Sequence, residues 1–126
     1  MKKPRSTLRP KLSLWLENSA GEPAFGKGRM LILDAIDAHG SLSAAARALG
    51  MSYRGLWARL RRSERRLGFP LVVSHPGCGH ESGTVLTPAG RELLERYREL
   101  LRRVKTAADD AAREILDRAP QDRAPA

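Results

Sequence analysis

Apolar and polar residues recur with a helical period over residues 43–67, where the sequence predicts two helices joined by a tight turn. Ala45 and Ala46 are small enough for the two helices to cross closely. Gly50 suits the left-handed backbone that ends a helix abruptly, and Ser52 can cap the next helix by accepting a backbone N–H bond. The second helix places its leucines on one face and its arginines on the other: Leu56, Leu60 and Leu67 against Arg54, Arg59, Arg61, Arg62, Arg65 and Arg66. This pattern predicts a helix-turn-helix.

The residues that precede this unit predict one strand and one helix. Residues 12–17 alternate leucine with other side chains, which is typical of a strand, and the glycine- and proline-containing residues 18–28 are expected to form a connector. Residues 30–39 have the apolar spacing of a helix, which we expect to end at Gly40. Either Ser41 or Ser43 can then cap the first helix of the helix-turn-helix.

The residues that follow the unit predict a wing. Residues 69–75 and 84–86 have the composition of two short strands, and the loop between them is rich in glycine. Thr87 and Pro88 then begin a new helix, because threonine caps helices and proline is preset for the first helical position. The predicted fold class is therefore mainly α with a small β wing: a winged helix-turn-helix with an N-terminal strand and a long C-terminal helix.

The last helix carries an apolar stripe whose spacing alternates between three and four residues, as in a two-helix coiled coil. The residues of the stripe are Leu94, Tyr97, Leu101, Val104, Ala108, Ala111 and Ile115. The alternative is that the helix packs on its own domain, as we expect for Leu93 and Leu94 in its first turns. Because a small domain offers little surface to cover so long a stripe, we expect a homodimer.

Length and composition favour a single hydrophobic core, since the chain has 126 residues of which 41% are hydrophobic. We expect four segments: a basic flexible arm (1–10), the winged helix-turn-helix (11–87), the dimerisation helix (88–117) and a disordered tail (118–126). The arm is either a solubilising tail or a contact to a DNA groove.

The charge of the chain points to a polyanionic partner. Lys and Arg number 23 against 14 Asp and Glu, which gives a net charge of +9, and this favours nucleic acid or, less specifically, an anionic membrane surface. The excess is concentrated in residues 52–73, where six arginines accompany one glutamate. No apolar run has the length of a membrane span, and the basic N-terminal residues are not followed by the hydrophobic region of a signal peptide. With Cys78 as the single cysteine, we expect a cytoplasmic, nucleoid-associated protein.

Candidate DNA contacts gather around the second helix of the unit, which suits the major groove. They are Ser43, Ser52, Tyr53, Arg54, Trp57, Arg59, Arg61 and Arg62, with His80 in a wing that reaches the minor groove. Arg54 can bind both acceptors of guanine, and Tyr53 can contact a thymine methyl group or a phosphate. Arg61 is either a second base contact or a phosphate clamp. Trp57 is either a core residue or a DNA contact.

The sequence offers little for other chemistry. His75, Cys78, His80 and Glu81 form the one group with metal-ligand side chains, but their spacing does not match a zinc site, and we expect no metal and no cofactor. A redox switch at Cys78 is an open alternative. No set of nucleophile, base and orienting group is recognisable, so we do not expect an enzyme.

Three motifs carry a family resemblance: GSLSAAARALGMS, LGFPLVV and VLTPAGRELLERY. In this order they resemble the winged helix-turn-helix of LysR-type regulators over residues 28–97. The strand LSLWLE, the segment MSYRGLW and the long wing are more similar to the DNA-binding domain of ModE-type molybdate-responsive regulators. The resemblance implies a dimer that places two recognition helices on a two-fold-related DNA operator.

The sequence departs from the family at its end and in its wing. ModE-type regulators carry molybdate-binding domains after the long helix, whereas only residues 118–126 follow it here. We therefore expect no small-molecule effector domain in this chain. The wing contains Cys78, His80 and Glu81 where the ModE pattern is mostly glycine.

Three functions are compatible with these patterns. The first is a sequence-specific, dimeric transcription regulator that binds double-stranded DNA. The second is a non-specific or architectural DNA-binding protein, which the basic arm favours. The third is a winged-helix protein-interaction module, because a fold does not determine a function.

Overall fold

The computed structural model describes residues 7–75 and 83–117. Within them it has four helices and two antiparallel two-stranded sheets. The elements in chain order are β1 (Trp15–Glu17), β2 (Pro23–Gly26), α1 (Lys27–His39), α2 (Leu42–Ala48), α3 (Tyr53–Leu67), β3 (Val72–His75), β4 (Gly83–Leu86) and α4 (Pro88–Leu116). The predicted fold class is confirmed. No helix in the described ranges is long and apolar enough to cross a membrane.

Local capping residues set the ends of the helices. Gly40 ends α1 with φ of 75°, and Ser41, rather than Ser43, caps α2 by accepting the Ala44 N–H bond at 3.1 Å. Ser52 caps α3 through Gly55 N–H at 2.9 Å, as predicted. Thr87 likewise caps α4, with Pro88 in its first turn.

The connector predicted over residues 18–28 is wrong in part, because it contains the strand β2. This strand pairs with β1, which begins only at Trp15, and Phe25 on β2 is fully buried. The Trp15 ring lies so close over Gly26 that a Cβ atom there would be 2.6 Å from the indole. The sequence did not predict β2 because a four-residue strand that begins with proline and ends with glycine has no strand pattern of its own. Its extended conformation depends on pairing with β1.

The core forms where α1 packs between the helix-turn-helix and the first half of α4, with Ile32, Leu33 and Ile36 at its centre. Tyr97 of α4 packs edge-on against Phe25 with ring centroids 5.2 Å apart, and its hydroxyl donates to the Leu14 carbonyl at 2.8 Å. Burial raises the pKa of Tyr97. The first half of α4 is therefore part of the domain's own core.

Two residues of the predicted dimer stripe pack on their own chain, which was the stated alternative for Leu94 and is a correction for Tyr97. Leu94 and Tyr97 are only 2% and 1% exposed, so these side chains are covered by their own chain and cannot form an intermolecular seam. The helix is held in this position by the ion pairs Arg91–Asp37 and Arg98–Asp34, which join α4 to α1. The pKa of Asp37 is lowered because its carboxylate accepts hydrogen bonds from Arg91.

The wing is joined to the body by backbone contacts. β3 and β4 pair antiparallel, and the Thr84 N–H donates to the Gly40 carbonyl at 2.8 Å. The start of α4 lies directly against the start of the wing. A Cβ atom on Gly90 would be only 2.3 Å from the Leu71 carbonyl oxygen. Glycine at position 90 is thus required by close packing.

Candidate nucleic-acid interface

Helix α3 is strongly amphipathic and presents its polar face outward. Leu56 and Leu60 are buried, at 0% and 1% exposed, which fixes the helix on the core. The opposite face carries exposed side chains of two kinds, aromatic and cationic. They are Ser52 just before the helix and Tyr53, Arg54, Trp57, Arg59, Arg61, Arg62 and Arg65 within it. The structure thus brings together the α3 residues predicted to contact DNA.

Four arginines of α3 have no acidic partner among the residues that the structure describes: Arg54, Arg59, Arg62 and Arg65. Exposed guanidinium groups without a partner keep their full attraction for an external anion. Ser43, in the first turn of α2, is also exposed. The outward face of the helix-turn-helix is therefore a cationic surface that the described part of the chain neutralises only at Arg61.

Arg66 differs from these four. Its guanidinium donates to the Pro23 carbonyl at 2.8 Å and lies 3.8 Å from the Glu22 carboxylate. The prediction that Arg66 lies largely outside holds only in part, since the residue is half-buried and its guanidinium ties α3 to the hairpin of β1 and β2. The Asn18 side chain strengthens the same junction by donating to the Arg66 carbonyl at 3.1 Å.

Trp57 lies on the surface, so the alternative that placed it in the core is wrong. Its side chain is 40% exposed, and the guanidinium carbon of Arg61 lies 5.1 Å from its ring centroid, within cation–π distance. The sequence alone could not decide the position of Trp57, because a helical position next to Leu56 borders the apolar face.

Glu64 is a residue of the site whose role the sequence did not indicate. It is 8% exposed, and its Oε2 atom accepts the Leu71 N–H bond at 2.8 Å and the Val72 N–H bond at 3.4 Å. Its Oε1 atom lies 3.2 Å from Arg61. One carboxylate thereby joins α3 to the start of the wing and also holds Arg61 in place.

Arg29, in the first turn of α1, is a second residue that the sequence did not indicate. Its Nε donates to the buried Ser63 hydroxyl at 2.8 Å. Burial lowers the pKa of Arg29, and the nearby guanidinium groups of Arg59, Arg62 and Arg66 lower it further. The hydrogen bond to Ser63 thus places Arg29, a cationic residue of α1, beside the arginines of α3. It lies 34 positions from Ser63 in the chain, so no local pattern could reveal the contact.

Several of the remaining residues singled out by the sequence lie outside the part of the chain that the structure describes. His80, Cys78 and Glu81 lie outside the described residues, and so does the tail over 118–126. Within the described ranges no group of three His, Cys, Asp or Glu side chains could hold a metal ion. From the predicted arm, Leu8, Arg9 and Pro10 line a cleft with the far end of α4, at Asp109, Ala112, Arg113 and Asp117.

Beyond Tyr97 the predicted dimer stripe becomes progressively exposed. Leu101 is partly buried against the core, and Val104 and Ala108 are half-buried. Ala111 is exposed, and Ile115 is 57% exposed. Within the stripe, it is therefore the residues of this distal half of α4 whose apolar side chains remain available to a second molecule.

Comparison with known proteins identifies the same segment. The family described as "Bacterial regulatory helix-turn-helix protein, lysR family" matches residues 28–91. The molybdenum-pterin-binding protein MopB of Rhodobacter capsulatus is 42% identical over 72 residues, which cover 57% of this chain and 27% of MopB. The molybdenum transport protein ModE of Herbaspirillum seropedicae has the same identity and coverage. The chain thus spans about a quarter of the length of these relatives.

Among solved structures, the BenM DNA-binding domain in its complex with benA site 1 DNA shares the fold. Its TM-score is 0.50 at 21% sequence identity, and the match covers 69% of this chain and 92% of that one.

Proposed function

The chain belongs to the bacterial regulatory helix-turn-helix proteins of the lysR family, a family of DNA-binding transcription regulators, and we propose that it binds specific DNA sequences through α3. The observation that carries the proposal is the set of exposed arginines on α3 that lack acidic partners in the described chain. An α-helix fits the major groove of duplex DNA, and guanidinium groups bind both phosphates and guanine. The BenM DNA-binding domain shares this fold and is bound to DNA in its solved structure, which supports DNA binding by a domain of this fold.

The residues of the interface divide into two roles. Arg54 is exposed in the first turn of α3, where its planar fork can bind the O6 and N7 atoms of guanine. Ser43, Ser52, Arg59 and Arg62 are assigned to phosphates, which supply most of the affinity but no sequence information. Arg61 is assigned to neither role, because Glu64 already neutralises part of its charge.

We assign the distal half of α4 to a homodimer that places two copies of α3 on a two-fold-related operator. The apolar stripe supports this assignment, since Val104 and Ala108 are half-buried and Ala111 and Ile115 are exposed. Val104→Asp should shift the protein from dimer to monomer in analytical ultracentrifugation, because a charge in a two-helix seam is costly. If the variant sediments as a dimer, the interface lies elsewhere.

Selection of bound sequences from a random duplex pool tests the proposed function. We expect one enriched sequence with two-fold symmetry, which binds at least about 10³-fold more tightly than unrelated duplex at the same salt concentration. If scrambled duplex displaces the selected site equally well, the protein is an architectural DNA-binding protein and not a sequence-specific regulator. If no duplex binds even at low salt, the helix-turn-helix serves another partner.

A further inference from the structure

Two aromatic side chains stand exposed on a helix whose other outward residues are mostly arginines. Tyr53 is 50% exposed and Trp57 is 40% exposed. They are four residues apart, so they lie one turn apart on the same face of α3. Neither is needed to hold the helix on the body, because Leu56 and Leu60 already do so from the buried face.

The indole of Trp57 is held in a defined position. Arg61 covers the ring at 5.1 Å from its centroid, and Glu64 fixes Arg61 at 3.2 Å. Glu64 is itself held by the Leu71 N–H bond at 2.8 Å. A chain of contacts therefore runs from the wing to the indole, and one part of the ring surface is left facing solvent.

On the same helix as Trp57, Arg54, Arg59 and Arg62 have no acidic partner among the described residues. An apolar surface among such guanidinium groups fits a partner in which apolar groups lie among closely spaced negative charges. In the major groove of duplex DNA, only thymine presents such a group, its C5-methyl, between two lines of phosphates. On the basis of the proposed DNA-binding function, we infer that Trp57 contacts a thymine C5-methyl group and thereby determines part of the sequence specificity.

Stacking of an unpaired base on the indole is the competing interaction. It would need a free ring face and a single-stranded partner. The structure favours the methyl contact, because an α-helix of this kind enters a double-stranded groove, and because Arg61 already covers one face of the ring.

The test compares thymine with deoxyuridine, which lacks only the methyl group. The probe is the duplex recovered by selection, with each thymine replaced in turn, and affinity is measured by fluorescence anisotropy. We expect replacement at one position to weaken binding by wild-type protein about fourfold, the amount for one methyl group returned to water. Trp57→Ala should bind both duplexes equally. Leu31→Ala, which removes a side chain of similar exposure (43%) from α1, should keep the fourfold difference.

The outcomes separate this inference from the function on which it rests. If the wild type binds its selected duplex but does not distinguish deoxyuridine from thymine, the methyl contact is wrong and the DNA-binding function stands. The inference is also wrong if Trp57→Ala retains the difference, or if the wild type prefers single-stranded DNA. Absence of any selected duplex would refute the proposed function itself. The wild-type measurement needs no variant, so it is independent of any effect of Trp57→Ala on folding.

Discussion

Helices α3 and α4 each carry six arginines, but their arginines have different surroundings. All six on α4 form ion pairs: Arg91, Arg96, Arg98, Arg102, Arg103 and Arg113. On α3 only Arg61 and Arg66 do so within the described chain. The comparison shows that the number of basic residues on a helix does not identify a binding surface. We base the proposed DNA-binding surface instead on the lack of acidic partners for four arginines of α3 among the described residues.

The arginines of α4 serve the fold in two ways. Arg91 and Arg98 reach across to aspartates of α1, whereas the other four pair with acidic residues three or four positions away on the same helix. Pairs of the second kind support an isolated helix by a few tenths of a kcal/mol each. They suit the distal half of α4, which extends past the core.

The largest expected effect concerns the proximal half of α4. Tyr97→Ala should lower the free energy of unfolding by about 3–5 kcal/mol, because it empties a fully packed aromatic site. Tyr97→Phe, the matched control, should cost about 1 kcal/mol because the hydrogen bond to Leu14 is removed. Urea denaturation measures both. A dimer that dissociates into folded monomers in Tyr97→Ala would instead place this residue in the interface.

A smaller effect is expected on α3. Arg54→Ala should cost about 1–3 kcal/mol of binding at one base pair and relax the sequence preference there. Arg65→Ala removes an arginine of the same helix near its other end, and it should weaken binding to all duplexes alike. Binding-site profiles of the two variants check this, and an unchanged profile for Arg54→Ala would exclude Arg54 as a base contact.

The smallest effect concerns an ion pair between α1 and α4. Because Arg91 lowers the pKa of Asp37, the stabilisation is complete above the unfolded value of 3.8 and is lost as the pH falls through the lower folded value. Asp37→Asn should therefore melt slightly below wild type at pH 7, with the difference narrowing as the pH falls below 3.8 and disappearing once Asp37 is protonated in the folded state. A difference that persists after this protonation would show that the charge of Asp37 is not the cause.

Local features of this fold could be predicted from the sequence, and features that depend on distant packing could not. Gly40, Ser52 and Thr87 determine helix ends through neighbours within four residues, so their roles were confirmed. Tyr97 was assigned to the wrong contact because a heptad position says that a side chain is buried but not against which surface. The contact between Arg29 and Ser63 joins two helices, and neither residue carries a local signal of it.

The salt dependence of DNA affinity tests the difference between the two helices most directly. Arg59→Ala/Arg62→Ala and Arg96→Ala/Arg103→Ala remove equal charge from α3 and α4. The slope of log affinity against log salt is negative, and we expect its magnitude to decrease by about 0.9 for each phosphate that α3 no longer binds, and to stay unchanged for the α4 pair. Equal changes in both variants would show that only net charge matters, and would contradict the assignment of DNA binding to α3.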